Sequence, residues 1–197
     1  TLSTCIWGLG KTGTARECPH LFNLILREFE ICISEHRHPT ERSWITSLGN
    51  TLYGMSQPNN FSPQTDSVVL CQQVSEICVE TKFAGWHPRE MGLILWGLSK
   101  NSHLENSLVD LVVEIVCGSG PCNFRQWSGR DLSMLSWSLA LSSNLNNSFV
   151  SVFDRRVDAV QMSVKSLLLA IVKEISEPKS FFEARDMCQL VWALGAA

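Results

Sequence analysis

A short motif occurs three times in this chain of 197 residues, and it constrains the fold more than any other feature. Each copy begins with an aromatic residue, any two residues, Arg, an acidic residue and Leu or Met. After any four residues it ends with Trp, a small residue, Leu and another small residue. The copies occupy residues 86–99, 127–140 and 182–195. Weaker copies occupy residues 2–10 and 48–56, where Trp7 and Tyr53 stand in the Trp position. Internal repetition of this kind indicates a tandem array of small structural units.

The spacing of the copies predicts two helices in each unit. Trp96 and Trp137 are 41 residues apart, Tyr53 and Trp96 are 43 apart, and Trp137 and Trp192 are 55 apart. Two helices with their turns need about 40–47 residues, and no strand pattern accompanies the repeat. The fold class predicted is all-α: an α-solenoid of stacked antiparallel helical hairpins with a period of about 40–46 residues. We expect a single array over residues 1–197, with units at approximately 1–40, 41–84, 85–126, 127–181 and 182–197.

Apolar spacing and helix-breaking residues locate the helices within the units. Leu108, Leu111, Val112, Ile115 and Val116 form one apolar stripe with the spacing of an amphipathic helix. The first helices of the units are expected at about 2–10, 44–56 and 89–100, after Gly129, and from about 184 onward. The second helices are expected after Pro19 to about residue 34, at about 65–82 and around 108–116. Residues 148–175 have a helical pattern that fits either one long helix or two.

Three positions around the repeated Trp carry mainly small residues. They lie four residues before it, one after it and three after it, and include Gly49, Gly92, Gly54 and Gly10. Glycine inside a helix costs about 1 kcal/mol relative to alanine, so its recurrence needs a reason. We expect these positions to let neighbouring helices approach closely. The Trp side chains are expected to fill the adjoining core, in preference to serving as platforms for nucleic-acid bases.

Composition excludes some classes of protein. The formal net charge is −3 and the isoelectric point is about 5.9, so the chain is not held to nucleic acid by bulk charge. The longest apolar run, residues 167–172, is too short to span a membrane. None of the eight cysteines forms a C-x-x-C pair, which favours reduced thiols. Because the chain starts inside one repeat and stops just after another, we expect it to be a piece of a longer protein.

The repeated arginines are the most informative polar residues. Stacked units would place Arg89, Arg130 and Arg185 along one rim, where they could follow a line of phosphates. The alternative is that each Arg pairs with an acidic residue of its own or the next unit. Lys11 and Lys100 share the position four residues after the aromatic anchor and would extend this basic edge.

A second basic patch is possible in the long fourth unit. It contains Arg155 and Arg156, together with Lys165 and Lys173. Charged residues on a helix more often form an ordinary solvated face, so that interpretation stands beside the functional one.

We expect no catalytic site, metal site or cofactor. The segment from Gly8 to Thr12 resembles the end of a phosphate-binding loop, but Cys5 stands where the motif needs its first glycine. Cys32 with His36 and His38, and Cys117 with Cys122, lack the usual spacing of zinc ligands. The sequence suggests no nucleophile–base constellation.

The motif R-[DE]-[LM]-x-x-[ILV]-x-W-[GSA]-L-[GSA] resembles that of the octotricopeptide and heptatricopeptide-like helical-repeat family, which includes organellar proteins with RAP domains and FAST-kinase-like proteins. The resemblance rests on residues 89–99, 130–140 and 185–195, and more weakly on 2–10 and 48–56. It covers only the first helix of each unit. It implies an α-solenoid that binds RNA in mitochondria or plastids. The chain departs from the family pattern in the unequal length of its units.

The resemblance therefore leads us to expect a non-enzymatic RNA-binding protein in a mitochondrion, or alternatively a plastid. The unequal units favour an architectural role in a ribonucleoprotein, such as a mitochondrial ribosome, over base-by-base reading. The partners would be an organellar transcript or ribosomal RNA and neighbouring proteins, without membrane insertion. The alternative is a scaffold that binds only protein, which the acidic isoelectric point and apolar residues such as Leu93 and Met134 favour.

Overall fold

The structure of the chain is a computed structural model. It describes residues 1–35, 42–56, 65–117, 124, 126–147, 164, 166–174, 176 and 182–196. These residues contain helices and no strand, so the predicted all-α class is confirmed. None of the described helices is both long enough and apolar enough to cross a lipid bilayer.

The helices begin and end close to the predicted positions. They are α1 (Leu2–Thr12), α2 (Thr14–Glu17), α3 (Pro19–Glu35), α4 (Arg42–Met55), α5 (Thr65–Thr81), α6 (Pro88–Lys100), α7 (Asn106–Cys117), α8 (Gly129–Asn147), α9 (residues 166–174) and α10 (Ala184–Ala196). The turn α2 was not predicted. It follows Gly13, whose φ of 77° ends α1 in the left-handed conformation that glycine adopts without strain.

The chain divides into two compact units, Thr1–Trp86 and His87–Ala197. In the first unit α1 packs beside α4 and α3 packs beside α5, while α1 also contacts α3 and α4 also contacts α5. The core of this unit is aliphatic and aromatic. Its fully buried side chains include Ile6, Phe22, Ile33, Leu48, Leu52 and Leu70.

Helices α1 and α4 approach until their backbones touch. A Cβ atom on Gly54 would lie 2.6 Å from the Ile6 carbonyl oxygen and 2.9 Å from the Trp7 Cα atom. A Cβ atom on Gly10 would lie 2.7 Å from the Gly54 Cα atom. At Gly10 and Gly54 the prediction of close helix approach is therefore confirmed. Gly8 differs, because a Cβ there would meet nothing within 4 Å.

In the second unit α8 packs between α6 and α10. A Cβ atom on Gly92 of α6 would lie 3.6 Å from the Asp131 carbonyl oxygen of α8. Two turns further along α6, the Ser99 hydroxyl donates to the Ser138 carbonyl at 3.2 Å. Because both contacts advance together along the two helices, α6 and α8 run parallel with their motifs in register.

The same register continues to α10. The Ser133 hydroxyl of α8 donates to Gln189 Oε1 at 3.0 Å, and the Trp137 ring contacts the Trp192 ring one turn later. The three strong copies of the motif therefore lie on three adjacent, parallel helices. Equivalent residues of the copies become spatial neighbours, which allows the repeated Arg and Trp to form rows.

Candidate nucleic-acid interface

The acidic residue of the motif caps its own helix. Glu90 and Asp131 are the third residues of α6 and α8, and both are buried. Glu90 Oε2 accepts a hydrogen bond from the His87 backbone N–H at 2.8 Å, and Asp131 Oδ2 accepts one from the Ser128 N–H at 3.1 Å. In return, the Ser128 hydroxyl accepts from the Asp131 N–H at 3.2 Å, which completes a capping box.

Asp186 of α10 forms one of the two hydrogen bonds of such a capping box, the one from the backbone to the acidic side chain. It is buried, and its Oδ2 atom accepts from the Glu183 backbone N–H at 3.2 Å. The motif acid thus satisfies backbone donors at three helix starts, where they would otherwise lack partners. Its role is structural in all three copies.

The arginine of the motif behaves differently. Arg89, Arg130 and Arg185 are exposed and occupy the second position of α6, α8 and α10. Within the described part of the chain, no ion pair or side-chain hydrogen bond engages their guanidinium groups. Among the described residues the expected pairing of each Arg with an acid is therefore not found, and the adjacent acid is turned into the capping box.

The position of these arginines is electrostatically unfavourable for the helix. A cation in the first turn opposes the positive end of the helix dipole, an effect of about 0.3–1 kcal/mol. Since no described residue pairs with these three guanidinium groups, the described contacts do not offset that cost. The three groups leave a row of positive charge that is available to an anion.

Arg and Trp of each copy lie on the same side of their helix. They are seven residues apart, close to two full turns, and the residue four after the Arg lies between them. On α6 this stripe is Arg89, Leu93 and Trp96. On α8 it is Arg130, Met134 and Trp137, and on α10 it is Arg185, Gln189 and Trp192. The middle residues and the first two Trp residues are half-buried, so the stripes reach solvent. We call these nine residues the Arg–Trp face.

The Trp side chains of the Arg–Trp face form a ladder. The ring centroids of Trp96 and Trp137 are 6.0 Å apart with an interplanar angle of 37°. Those of Trp137 and Trp192 are 5.5 Å apart with an angle of 30°. Trp96 and Trp137 are half-buried, and Trp192 is 44% exposed. The prediction that these residues fill the core is therefore wrong: the small residues and leucines occupy the helix interfaces, and the Trp rings stack along their edge.

Each of the two repeated lysines lies over a Trp ring. Lys100 Nζ lies 4.4 Å from the Trp137 ring centroid and 6.0 Å from that of Trp96. In the first unit, Lys11 Nζ lies 4.6 Å from the Trp7 ring centroid. Partial burial lowers the pKa of the Lys100 ammonium from its ordinary value. Both lysines remain exposed, and each is a cation–π partner of a Trp.

The second predicted basic patch lies mostly outside the described residues. Arg155, Arg156 and Lys165 are not among them, and Lys173 is an exposed residue of α9.

Three of the residues weighed as metal ligands, His36, His38 and Cys122, also lie outside the described residues. Within the described residues, no three His, Cys, Asp or Glu side chains are grouped as metal ligands would be. None of the described cysteines is joined to another in a disulfide.

Two features of this surface were missed from the sequence although signals for both were present. Ser128-x-x-Asp131 has the spacing of a capping box, which identifies the acid as structural. The seven-residue spacing of Arg and Trp places them on one stripe and links the Trp to an exposed residue.

No protein-family model, curated protein or solved structure matches this chain.

Proposed function

We propose that this chain is a non-enzymatic helical-repeat protein that binds single-stranded RNA across the Arg–Trp face. The proposal includes the α-solenoid of stacked hairpins predicted from the repeat. The observation that carries it is the row of exposed Arg89, Arg130 and Arg185, which have no ion-pair partner in the described part of the chain, beside the Trp ladder on three parallel helices. The Arg row suits the phosphates of a nucleic-acid strand, and the Trp ladder suits its bases.

Phosphates are the partner that the Arg row fits best. Guanidinium groups bind phosphate through paired N–H donors, and no carboxylate among the described residues competes for these three. The helix starts at which they stand add positive potential. The net charge of −3 means that this attraction is local, so we expect moderate affinity with a strong dependence on salt.

The Trp ladder supplies the apolar part of the interface. The Trp137 ring is flanked by Trp96 and Trp192, so its edge is available rather than its face. The outer face of Trp192 is the surface on which an unstacked base can lie. Stacking of this kind needs an unpaired base, so single-stranded RNA is favoured over a duplex.

The cellular setting we propose comes from the motif resemblance. A repeat similar to the octotricopeptide and heptatricopeptide-like families favours a mitochondrial protein, with a plastid as the alternative. The unequal spacing of the units favours a structural or assembly component of a ribonucleoprotein, such as a mitochondrial ribosome. Neighbouring proteins would then share the surface with RNA.

One observation favours the second candidate, a protein-binding scaffold. The middle row of the Arg–Trp face contains Leu93 and Met134, which are half-buried apolar side chains next to the Trp ladder. Such a strip also fits the apolar side of a partner helix, with the arginines at its rim contacting acidic residues.

Salt-dependent RNA binding separates the two candidates. Arg89, Arg130 and Arg185 are changed together to Ala, and affinity for a mixed-sequence single-stranded RNA is measured by fluorescence anisotropy over a range of salt. We expect the log–log salt slope to fall by about 2–3, because each lost phosphate contact removes about 0.7–1.

A charge-matched variant controls for bulk electrostatics. Arg16, Arg27 and Lys173 are exposed residues outside the Arg–Trp face, and changing them to Ala removes the same formal charge. We expect this variant to retain the wild-type slope. Equal slopes in the two triple variants, or no RNA binding by the wild type at low salt, would contradict the RNA proposal and favour the protein scaffold.

A further inference from the structure

Charge is divided unequally between the helices that carry copies of the motif and the helices between them. On α1, α4, α6, α8 and α10 the acidic residues are the buried caps Glu90, Asp131 and Asp186, so the exposed charge of these helices is positive. On α3, α5 and α7 it is mainly negative, and the only Arg or Lys of these three helices is Arg27. Their exposed acids are Glu28, Glu35, Glu76, Glu80, Asp110 and Glu114. Groups that attract anions and groups that attract cations therefore lie on different helices.

A groove between α3 and α5 of the first unit concentrates part of this negative charge. It is lined by Ile33, Ser34, Gln73, Glu76, Ile77 and Glu80. Ile33 and Ile77 are buried and form an apolar floor, whereas Glu76 and Glu80 are exposed about one turn apart on α5. Arg27 is not among the lining residues. We call these six residues the α3–α5 groove.

The groove offers hydrogen-bond acceptors. Gln73 Oε1 is buried and has no hydrogen-bond partner among the described residues. The Ser34 hydroxyl donates its proton to the Ile31 carbonyl at 2.7 Å, which leaves its oxygen as an acceptor. Glu76 Oε1 accepts from Gln72 Nε2 at 3.3 Å, and a carboxylate can accept several more hydrogen bonds. A cationic side chain with several N–H donors complements this set of atoms.

Exposed aliphatic side chains border the groove. Val69 shares a stripe of α5 with Glu76 and Glu80, because it precedes them by seven and eleven residues. Ile31 lies about one turn before Ser34 on α3. Val69 is 41% exposed and Ile31 is 46% exposed. A lone cation would leave both uncovered, whereas a protein helix that carries aliphatic residues beside its cations covers them.

We propose that the α3–α5 groove binds an amphipathic helix of a partner protein that carries arginine or lysine next to aliphatic residues. A cationic side chain of the partner lies between Glu76 and Glu80 and donates to Gln73 Oε1, while the aliphatic residues pack on Ile31 and Val69. Charge complementarity selects this partner, and the same carboxylates repel a nucleic-acid strand. The proposal stands independently of RNA binding, because it uses other helices than the Arg–Trp face.

The test measures peptide binding to the whole chain by fluorescence anisotropy, without RNA and at about 0.15 M salt to screen long-range attraction. The probe is a labelled peptide of about 18 residues, with Leu on one side of its helix and Arg on the other. We expect the wild type to bind it. Changing Glu76 and Glu80 together to Lys should weaken binding by more than about tenfold.

A charge reversal on α7 is the matched control. Asp110 and Glu114 are also exposed and four residues apart, and Ile115 beside them is 42% exposed. Changing both to Lys alters the net charge by the same amount but leaves the groove intact. This variant should bind the peptide within about threefold of the wild type, because exposed charges outside the contact are screened.

A second pair of variants tests the apolar contact at constant charge. Ile31→Ser should weaken peptide binding by about three- to tenfold, because it removes aliphatic area from the border of the groove. Ile115→Ser changes a similarly exposed isoleucine on α7 and should leave the affinity unchanged. Far-UV circular dichroism checks that every variant is folded.

Four results would overturn the inference. The wild type does not bind the peptide at the highest attainable concentration, or the two charge reversals weaken binding equally. Ile31→Ser binds normally, which would indicate a site for the cation alone. Binding appears only after Arg37→Ala, which would mean that this chain's own Arg37, a residue outside the described ones, occupies the groove. No RNA is used and no variant changes the Arg–Trp face, so none of these results bears on the proposed RNA binding.

Discussion

At the scale of the residue, two neighbouring positions of the motif have different surroundings, since one side chain is buried and the other is exposed. Asp131 is 5% exposed and closes a capping box with Ser128 at the start of α8. Arg130, the residue before it, is exposed and has no ion-pair partner among the described residues. The capping residue and the proposed phosphate-binding residue are therefore neighbours in the chain, and substitution can measure the effect of each alone.

Changing Asp131 to Ala should lower the free energy of unfolding by about 0.5–2 kcal/mol, because the Ser128 N–H loses its acceptor at the helix start. Urea denaturation followed by circular dichroism measures this. Arg130→Ala is the control and should stay within about 0.5 kcal/mol of the wild type, since its side chain is exposed and unpaired. Equal stability of Asp131→Ala and the wild type would show that the cap contributes nothing.

At the scale of the element, the small residues set the distance between helices. Gly10 and Gly54 bring the backbones of α1 and α4 into contact, whereas Gly92 leaves ordinary van der Waals space between α6 and α8. Small residues at different positions of the motif thus make two kinds of helix contact, backbone contact in the first unit and ordinary van der Waals contact at Gly92 in the second. Trp96 aligns with Trp137 although Gly92 makes no such backbone contact.

Gly54→Ala should destabilise the first unit by about 1–3 kcal/mol, because its Cβ would lie 2.6 Å from the Ile6 carbonyl oxygen and the helices must separate. Gly92→Ala is the matched control. Its Cβ has 3.6 Å to the nearest atom, so the better helix propensity of alanine should leave stability unchanged or raise it by up to about 1 kcal/mol. Thermal unfolding of both variants measures the difference. A tolerated Gly54→Ala would contradict the backbone contact.

At the scale of the whole molecule, burial separates three exposed cysteines of the described chain from two buried ones. Cys5, Cys18 and Cys188 are exposed, whereas Cys71 and Cys78 are buried on α5. Burial raises the pKa of the Cys71 thiol to about 12, and burial also raises the pKa of the Cys78 thiol. Since the thiolate is the reactive form, the two groups should differ strongly in reactivity near neutral pH.

Alkylation with iodoacetamide at pH 8 should therefore label Cys5, Cys18 and Cys188 rapidly and leave Cys71 and Cys78 unmodified. Peptide mapping by mass spectrometry after timed quenching measures each site. In urea above the unfolding transition, all five should react at similar rates, which controls for local sequence effects. Fast labelling of Cys71 or Cys78 in the native protein would contradict the packing of α5.

The amino-acid sequence by itself determined the helices and the residues that share a face. Apolar spacing, together with Pro19, Pro88 and the glycines, predicted the class and most helix bounds, because these depend on local backbone preferences and the helical period. The spacing of Arg89 and Trp96 likewise fixed their common stripe. Both follow from a single helix and need no neighbour.

Only the tertiary structure decided which stripe is covered. Trp96, Trp137 and Trp192 were expected in the core because large aromatic side chains usually gain most from burial. Instead, the small residues of α8 let α6 and α10 pack closely on either side, and the Trp rings meet at the edge of those interfaces. Periodicity belongs to one helix, whereas burial depends on the helices beside it, which is why the Arg–Trp face emerged only from the packing.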